Sequence, residues 1–424
     1  MATTTFDTSA SFAAEMDARD PLAAFREQFH IPQAPSGGAS VYLCGHSLGL
    51  QPKRAREYIE QELQAWKTLA VEAHFRGRDP WMPYHRLLTN NMAGIIGAQP
   101  GEVVVMNSLT VNLHLMMVSF YRPTPQRHKV LVESGAFPSD RYAVESQIGF
   151  HGFDPDHFLL ELKPRASEAT IRQEDIETLL AREGASIALV LLGGVNYATG
   201  QAFDMEAITR AGHAQGCVVA FDLAHAAGNL PLRMHDWNVD FAVWCNYKYL
   251  NGGPGCVGGC FVHERHARAQ ELPRFAGWWG HDEQSRFQMG PEFRPMPGAE
   301  GWQLSNPSIM SMAPVRASLD IFAAAGMEQL RKKSLSLTGY LEFLLDQDPS
   351  RKFTIITPCE PERRGAQLSI RIRQNGRSVC DRLNAEGILC DWREPDILRV
   401  APVPLYNAYR DVHRFAERFL AALE

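Results

Sequence analysis

The stretches CVVAFDLAHAAG (residues 217–228) and DFAVWCNYKYLNGGPGC (residues 240–256) share one design, a short apolar run that ends in polar residues. Both runs are continuously apolar rather than alternating. Such runs are typical of strands that are buried on both faces, as in a parallel sheet covered by helices. The two stretches therefore predict strands over 217–221 and 241–245 and an α/β fold.

The same pattern extends along the chain on both sides of these strands. Apolar runs and helical spacing predict further strands at 103–106, 130–132, 187–192 and 257–262, and helices at 52–69, 85–96 and 204–215. Since helices alternate with buried strands, we expect a large α/β domain with a mainly parallel sheet over residues 50–312.

The two ends of the chain show a different mixture of elements. The patterns predict helices at 12–29, 317–322, 330–346 and 410–423, and strands at 353–357, 367–372 and 397–400. Chain ends often lie close together in a folded domain. We therefore expect residues 1–49 and 313–424 to form a smaller α+β domain.

Composition excludes several classes of protein. Of 424 residues, 45% are hydrophobic and 21% charged, as in ordinary soluble globular proteins. The net charge of −6 gives no reason to expect nucleic acid or a membrane as partner. The longest strongly apolar run, 187–192, is far shorter than the roughly 20 residues that span a bilayer. Acidic residues near the N-terminus are untypical of targeting peptides, so we expect a cytoplasmic protein.

The eight cysteines lie mostly in apolar runs, which predicts buried free thiols in a reducing compartment. Cys256 and Cys260 are four residues apart, but no second pair and no set of histidines completes a zinc site. We therefore expect no bound metal.

Ionisable residues come at the ends of two of the predicted strands. Asp222 follows the strand at 217–221, and Lys248 follows the strand at 241–245. In an open parallel sheet, ligands bind beyond the carboxyl ends of the strands. A carboxylate there needs a partner, such as a pyridinium nitrogen, and a desolvated lysine is suited to Schiff-base formation. The alternatives are a helix-capping aspartate and an exposed loop lysine.

Two other strand ends carry groups that suit a planar, phosphorylated ligand. Asn107, Ser108 and Thr110 lie where a helix is expected to begin, and helix N-termini bind phosphate. Phe137 and Asp140 follow the strand at 130–132, and an aromatic side chain there could stack on a ring. Taken singly, an ordinary helix cap and a packed loop aromatic explain these residues better.

Taken together, the four strand ends supply what pyridoxal 5′-phosphate (PLP) requires. They offer a lysine for the Schiff base, an acid for the ring nitrogen, an aromatic ring for stacking and a helix N-terminus for the phosphate. The chain order, with the phosphate turn first, then Asp222, then Lys248, is similar to that of fold type I PLP enzymes, the aspartate aminotransferase superfamily. We therefore expect PLP as cofactor.

The sequence also resembles the kynureninase family over nearly its whole length. The matching stretches are CGHSLGLQP (44–52), NSLTVNLHL (107–115), AFPSDRYAVESQ (136–147), NYATGQ (196–201), FDLAHAAGN (221–229), YKYLNGGPG (247–255), GWWGH (277–281), SNPSI (305–309) and REPDILRVAPVPLYN (393–407). One departure is His46, where the family's GNSLG stretch has Asn.

The resemblance implies a PLP-dependent hydrolase that acts on a carbon–carbon bond. It would be a homodimer that cleaves L-kynurenine or 3-hydroxy-L-kynurenine to L-alanine and anthranilate or 3-hydroxyanthranilate, in tryptophan degradation or NAD biosynthesis. Lys248, Tyr247 and Asp222 would be catalytic, with Lys248 carrying the Schiff base and Tyr247 relaying protons. The implied cofactor contacts are Leu109, Thr110, Phe137, Asp140, Gly193, Asp222, His225, Tyr247 and Lys248, with Trp278 and Asn306 from the partner subunit.

The resemblance further implies a set of substrate contacts. Arg399 would hold the substrate α-carboxylate by two parallel hydrogen bonds. The other implied substrate contacts are Ser47, His74, Ser305 and Asn306. His74 and Asn306 could hydrogen-bond a 3-hydroxyl group, which predicts a preference for 3-hydroxykynurenine.

Two alternative functions remain open from the sequence. A cysteine desulfurase would share the fold and the Asp–Lys pair, but it needs a reactive loop cysteine, for which Cys359 is the candidate. A catalytically inactive fold type I protein would be expected to lack Lys248 or Asp222, and both are present.

Overall fold

A seven-stranded sheet forms the centre of the computed structural model, which describes residues 5–266 and 272–424. Its strands are β2 (Val103–Met106), β3 (Lys129–Glu133), β4 (Leu159–Leu162), β5 (Ile187–Gly193), β6 (Val218–Asp222), β7 (Phe241–Cys245) and β8 (Gly258–Val262). The order is β2-β8-β7-β6-β5-β3-β4, and only β8 runs antiparallel to its neighbours. The mainly parallel sheet and the α/β fold expected from the apolar runs are confirmed, and β4 was not predicted.

The sheet is buried on both faces, as the continuous apolar runs require. In β2, Val103 and Val105 pack into one apolar core, whereas Val104 and Met106 pack into the core on the opposite face. Successive side chains of a strand point to opposite faces, so a strand with two buried faces has apolar residues at every position.

Twelve helices surround the sheets in the described part of the chain. They are α1 (Ala10–Ala18), α2 (Ala55–Leu69), α3 (Arg86–Ile96), α4 (Leu109–Phe120), α5 (Pro138–Phe150), α6 (Pro155–Phe158), α7 (Gln173–Glu183), α8 (Met205–Ala214), α9 (Ile309–Ala325), α10 (Met327–Leu345), α11 (Gly376–Ala385) and α12 (Tyr409–Ala422). None of these helices is long and apolar enough to cross a membrane.

The helix predicted at 12–29 is wrong in its length. The structure has α1, an interruption, and a short 3₁₀ helix at Ala23–Gln28. Pro21 lies in the interruption, and proline both lacks an N–H and disfavours helical backbone in the preceding residue. The side chain of Asp20 accepts a hydrogen bond from the backbone N–H of Leu22 at 2.9 Å, which holds the turn.

A second, antiparallel sheet lies in the C-terminal part of the chain. Its order is β12 (Asp391–Arg393), β13 (Ile397–Val400), β10 (Leu368–Ile372) and β9 (Phe353–Ile355). Beside it, β1 (Val41–Tyr42) pairs in parallel with β11 (Ile388–Leu389), so the N-terminal segment joins this sheet region. The domain limits stay a prediction, and the apolar core of the large sheet extends through α9 to Leu330 and also includes Ala366 and Tyr406.

The chain connections place the candidate site at one edge of the large sheet. Because β2, β3, β5, β6 and β7 all point the same way, the segments that follow them meet beyond their carboxyl ends. These segments contain the residues that the strand ends predicted.

Candidate active site

One cavity at this edge brings together nine of the residues predicted to contact the cofactor. It has a volume of about 170 Å³. Its lining includes Leu109, Thr110, Phe137, Asp140, Gly193, Asp222, His225, Tyr247 and Lys248. These residues come from five separate segments of the sequence. The order of the strands in the large sheet brings these segments together.

Lys248 lies in the tight turn that follows β7. Its Nζ atom is 5.7 Å from the centre of the Phe137 ring and 5.9 Å from that of Tyr247. The turn packs against the segment at 44–50, where the Gly49 N–H donates to the Tyr247 carbonyl at 2.8 Å. A β-carbon on Gly49 would lie 2.3 Å from the carbonyl oxygen of Lys248, so only glycine allows this close approach.

Three buried carboxyl groups converge in the cavity. Asp222 ends β6, accepts a hydrogen bond from the Ala224 N–H at 2.6 Å, and contacts Asp140. Burial raises the pKa of Asp222 and, with the charge of Asp222, raises that of Asp140 well above its usual value. Burial also raises the pKa of Glu133 to about 7. Carboxylates in such surroundings favour a cationic partner.

Hydroxyl groups and a free helix N-terminus form another end of the cavity. The Thr110 and Ser139 hydroxyl oxygens are 2.8 Å apart. Asn107 adopts a left-handed conformation (φ 48°) that turns the chain from β2 into α4, and no side chain caps the first turn of α4. The free N–H groups of this turn and the two hydroxyls are donors suited to a phosphate group.

His225 and Tyr247 are neutral in these surroundings. Burial, together with the charge of Lys248, lowers the pKa of His225 far below its usual value. Burial raises the pKa of the Tyr247 phenol. At neutral pH the imidazole therefore carries no charge and the phenol retains its proton.

Arg399 lies on β13, directly behind the cavity wall, and does not line the cavity itself. Its Nη1 donates to the carbonyl of Tyr197 at 2.7 Å, and its Nη2 donates to Asp391. Asp391 stands opposite Arg399 in the antiparallel pairing of β12 with β13. Tyr197 lines the cavity, so Arg399 reaches the site through this residue.

His46, the departure from the family motif, belongs to the same network as Arg399. Its Nε2 is 3.4 Å from Asp391 Oδ2, and its side chain is fully buried. Burial and the charge of Arg399 lower the pKa of His46 to about 4, so the imidazole is neutral at neutral pH. The substitution thus lies beside the carboxylate that orients Arg399.

Besides Arg399, five predicted residues do not line the cavity of a single chain. They are Ser47, His74, Trp278, Ser305 and Asn306. Ser47 lines a second cavity, together with Asp391. Ser305 and Asn306 are exposed.

His74 and Trp278 are connected by an exposed series of aromatic contacts. The His74 ring is 6.2 Å from Phe75, Phe75 is 6.2 Å from Phe287, and Phe287 is 5.4 Å from Trp278. We call His74, Phe75, Phe287 and Trp278 the aromatic patch.

Several residues around the site were missed from the sequence. Glu133 was assigned no role, although a carboxylate closing an apolar strand was visible in VLVES. Ser139 and Tyr197 lie within stretches that resemble the kynureninase family, but neither residue type nor position indicated a role for them. Asp391 could not be found by spacing, because it meets Arg399 through the pairing of two strands.

The described residues contain one group of side chains of the kind that binds metals, at a distance from the cavity. Glu102, His235 and His263 lie at the opposite edge of the large sheet. Glu102 already accepts hydrogen bonds from His235 Nδ1 at 3.0 Å and from the Glu264 N–H at 2.8 Å. These hydrogen bonds give the three side chains a structural role that needs no metal ion.

The cavity fits PLP by the chemistry of its donors and acceptors. Asp140 Oδ1 and His225 Nδ1 are buried and lack a hydrogen-bond partner among the described residues, as expected of groups that face a bound molecule. The carboxyl cluster suits a protonated pyridine nitrogen, Phe137 a ring face, and the N-terminus of α4 a phosphate.

Several solved structures share this fold, and one of them holds PLP. A mutant of the lyase C-DES, with glycine covalently linked to the PLP cofactor, matches with a TM-score of 0.76 and 18% identity over 93% of this chain and 98% of that one. The cysteine desulfurase CsdA from Escherichia coli matches with a TM-score of 0.74 and 19% identity over 95% of this chain and 98% of that one. The chain therefore shares the fold of an enzyme that holds PLP.

Sequence relatives identify the family. A kynureninase from Koribacter versatilis (strain Ellin345) is 72% identical over 100% of both chains, and one from Myxococcus xanthus (strain DK1622) is 60% identical over 97% of both. The family model for the kynureninase C-terminal domain matches residues 330–419. The chain belongs to the kynureninase family.

Proposed function

We propose that the protein hydrolyses L-kynurenine or 3-hydroxy-L-kynurenine to L-alanine and anthranilate or 3-hydroxyanthranilate. The observation that carries this proposal is the convergence of Asp222, Lys248 and the hydroxyl-lined start of α4 in one cavity, with Arg399 behind its wall. All eight cysteines are free, which supports a reducing compartment such as the cytoplasm, where tryptophan degradation or NAD biosynthesis would use this reaction.

The residues that would hold PLP divide by chemistry. Thr110, Ser139 and the backbone of Leu109 would bind the phosphate, Phe137 would contact the ring, and Asp222 would pair with the ring nitrogen. When bound, PLP supplies an electron-accepting ring conjugated to the substrate α-carbon. The rest of the chemistry is the task of the chain's own side chains.

Lys248 and Tyr247 would handle the protons of the reaction. When it is free, the Nζ of Lys248 would accept the α-proton of the substrate. Burial raises the pKa of the Tyr247 phenol, so this group keeps its proton at neutral pH and can donate a hydrogen bond. The two side chains are neighbours, with Lys248 Nζ 5.9 Å from the centre of the Tyr247 ring.

Arg399 would bind the substrate α-carboxylate. Its guanidinium is buried and held by Asp391 and by the Tyr197 carbonyl. The Tyr197 turn is fixed by Asn196, whose Oδ1 accepts from the Ala198 and Thr199 N–H groups, both at 3.0 Å. A guanidinium oriented in this way is prepared for a planar carboxylate, at little further entropic cost.

We propose that the enzyme is a homodimer whose subunits complete each other's sites. Trp278 and Asn306, expected at the phosphate, and His74, expected at the substrate ring, do not line the cavity of their own chain. The aromatic patch contains His74 and Trp278 and is largely exposed, which suits a surface that a second copy covers.

Subunit complementation tests this arrangement. Lys248→Ala and Asn306→Ala variants are each expected to be inactive. Random reassortment makes half of the dimers hybrid, and each hybrid has one intact site, so mixing should restore about a quarter of wild-type activity. Mixtures that stay inactive, although hybrid dimers are detected by mass, would contradict a shared site.

The substrate is proposed to be 3-hydroxykynurenine in preference to kynurenine. His74 and Asn306 offer an imidazole and an amide for the ring hydroxyl, and a site built to bond a hydroxyl discriminates strongly against its absence. Comparing kcat/KM for the two substrates tests this. Equal values, or a higher value for kynurenine, would refute the preference while leaving the reaction itself intact.

Product assays with L-kynurenine and with L-cysteine distinguish the proposed function from that of a cysteine desulfurase. The residues lining the cavity include no cysteine, and Cys359, the desulfurase candidate, is exposed outside it. We expect equimolar alanine and anthranilate from L-kynurenine, and no sulfide from L-cysteine. Sulfide release without anthranilate would overturn the proposal.

A further inference from the structure

Two cysteine thiols of the C-terminal part lie next to each other. Cys380 lies within α11, and Cys390 lies between β11 and β12. Their Sγ atoms are 3.8 Å apart, and both residues are free and buried. An S–S bond is about 2.0 Å long, so the two sulfurs need to approach each other by only about 1.8 Å to form one.

The surroundings of this pair favour reaction with an oxidant. Cys380 Sγ accepts a hydrogen bond from Asn384 Nδ2 at 3.5 Å, and the Cys390 thiol is placed to donate a second. The hydrogen bond from Cys390 lowers the pKa of the Cys380 thiol. Both cysteines line a surface cavity of about 340 Å³, which admits a small molecule. A thiolate within reach of a second thiol is typical of redox-reactive cysteines.

We propose that Cys380 and Cys390 are a reversible dithiol–disulfide pair, oxidised by hydrogen peroxide, and that their oxidation weakens the binding of the substrate carboxylate. The Cys380 sulfur attacks one peroxide oxygen, the O–O bond breaks, and hydroxide leaves. The Cys390 sulfur then attacks the Cys380 sulfur, the S–O bond breaks, and a second hydroxide leaves. The two thiol protons convert these hydroxides to water, and peroxide takes up the two electrons that the thiols lose.

The pair is connected to the active site through the neighbouring residue. Asp391 follows Cys390 directly and accepts the hydrogen bond from Arg399. Cys380 lies in a hydrogen-bonded helix, whereas Cys390 lies between two short strands, so closing the bond displaces the Cys390 segment more. The displacement reaches the carboxylate that orients Arg399. This consequence rests on the proposed role of Arg399, whereas the redox chemistry does not.

Peptide mapping tests the redox chemistry. Reduced, PLP-loaded, full-length protein is treated with hydrogen peroxide, blocked with an alkylating agent, digested and analysed by mass spectrometry without reduction. We expect linked peptides that contain Cys380 and Cys390, lighter by two hydrogens, which dithiothreitol separates. Cys390→Ser, with Cys390→Ala as a second variant, should leave a sulfenic acid on Cys380 that dimedone traps. Cys359→Ser, which removes an exposed cysteine, should still form the link.

The result that overturns the redox pair is oxidation of exposed Cys359 with no link between Cys380 and Cys390. A trivalent arsenical gives an independent measurement, because phenylarsine oxide bridges two neighbouring thiols. Binding of one phenylarsine oxide per wild-type chain, and no binding to Cys390→Ser, supports the proposal that Cys380 and Cys390 form a redox pair. No bound arsenical on the reduced wild type overturns it.

Steady-state kinetics test the connection to the active site. Oxidation should raise the KM for L-kynurenine about tenfold, the effect of disturbing one charge-assisted contact, with little change in kcat. Dithiothreitol should reverse the change, and Cys390→Ser should not show it. An unchanged KM in linked enzyme, or the same change in Cys390→Ser, overturns the connection. If reduced enzyme cleaves neither L-kynurenine nor 3-hydroxy-L-kynurenine, the proposed function fails instead, and peptide mapping still decides the redox pair.

Discussion

Replacing Glu133 with Gln should stabilise the cofactor-free protein at neutral and alkaline pH. Glu133 ends β3, is buried, and accepts the Gly193 N–H at 3.1 and 3.2 Å through its two carboxylate oxygens. A glutamine has the same shape, and its carbonyl oxygen can accept the same hydrogen bond. The substitution therefore removes the buried charge and retains the local contact.

The size of the effect follows from the pKa of this carboxyl group. Burial raises the pKa of Glu133 from its usual 4.5 to about 7. The folded protein thus disfavours the ionised form by about 3 kcal/mol, at 1.36 kcal/mol for each unit of pKa. Because the folded pKa is raised, this cost is absent below pH 4.5, grows as the pH rises to about 7, and is constant above that.

Urea unfolding at a series of pH values measures this effect. The free energy of unfolding of Glu133→Gln, relative to wild type, should increase by up to about 3 kcal/mol between pH 4.5 and pH 8. Glu417→Gln, at an exposed position on α12, is the matched control and should show no such trend. A difference that is independent of pH would refute the account of Glu133 as a buried, reluctantly ionised carboxyl group.

Three further substitutions test the site by steady-state kinetics and cofactor binding. Gly49→Ala places a β-carbon 2.3 Å from the Lys248 carbonyl, so we expect a loss of about 1–3 kcal/mol in stability and a lower kcat; wild-type kinetics would contradict the close approach. Arg399→Lys should raise KM about tenfold or more, since lysine cannot make the bidentate contact, and an unchanged KM would remove Arg399 from the substrate site. Thr110→Val removes one hydroxyl and should weaken PLP binding about tenfold in equilibrium dialysis; equal affinity would show that this hydroxyl does not bind phosphate.

The strand ends of the large sheet were predictable because their signal is local. A continuous apolar run predicts a strand buried on both faces, and the strand's direction then predicts where its last residues lie. This reasoning was sufficient to place Asp222 and Lys248 near each other, 26 positions apart, and the structure has both in one cavity.

The remaining features depend on contacts that spacing does not record. Asp391 meets Arg399 because β12 and β13 are paired in one register, and no single-strand pattern specifies that register. The helical periodicity continues on both sides of Pro21, so spacing alone does not show the break that this proline makes. Trp278 and Asn306 do not line their own chain's cavity, so the role that we propose for them depends on a second subunit.

The release of anthranilate from L-kynurenine by wild type and by Lys248→Ala tests the central claim most directly. Each protein is supplied with PLP, and Lys332→Ala, at an exposed position on α10, serves as the matched control. The account predicts anthranilate and alanine in equal amounts from wild type and Lys332→Ala, and none above background from Lys248→Ala. Equal release by Lys248→Ala, or no cleavage of either L-kynurenine or 3-hydroxy-L-kynurenine by the wild type, would contradict it.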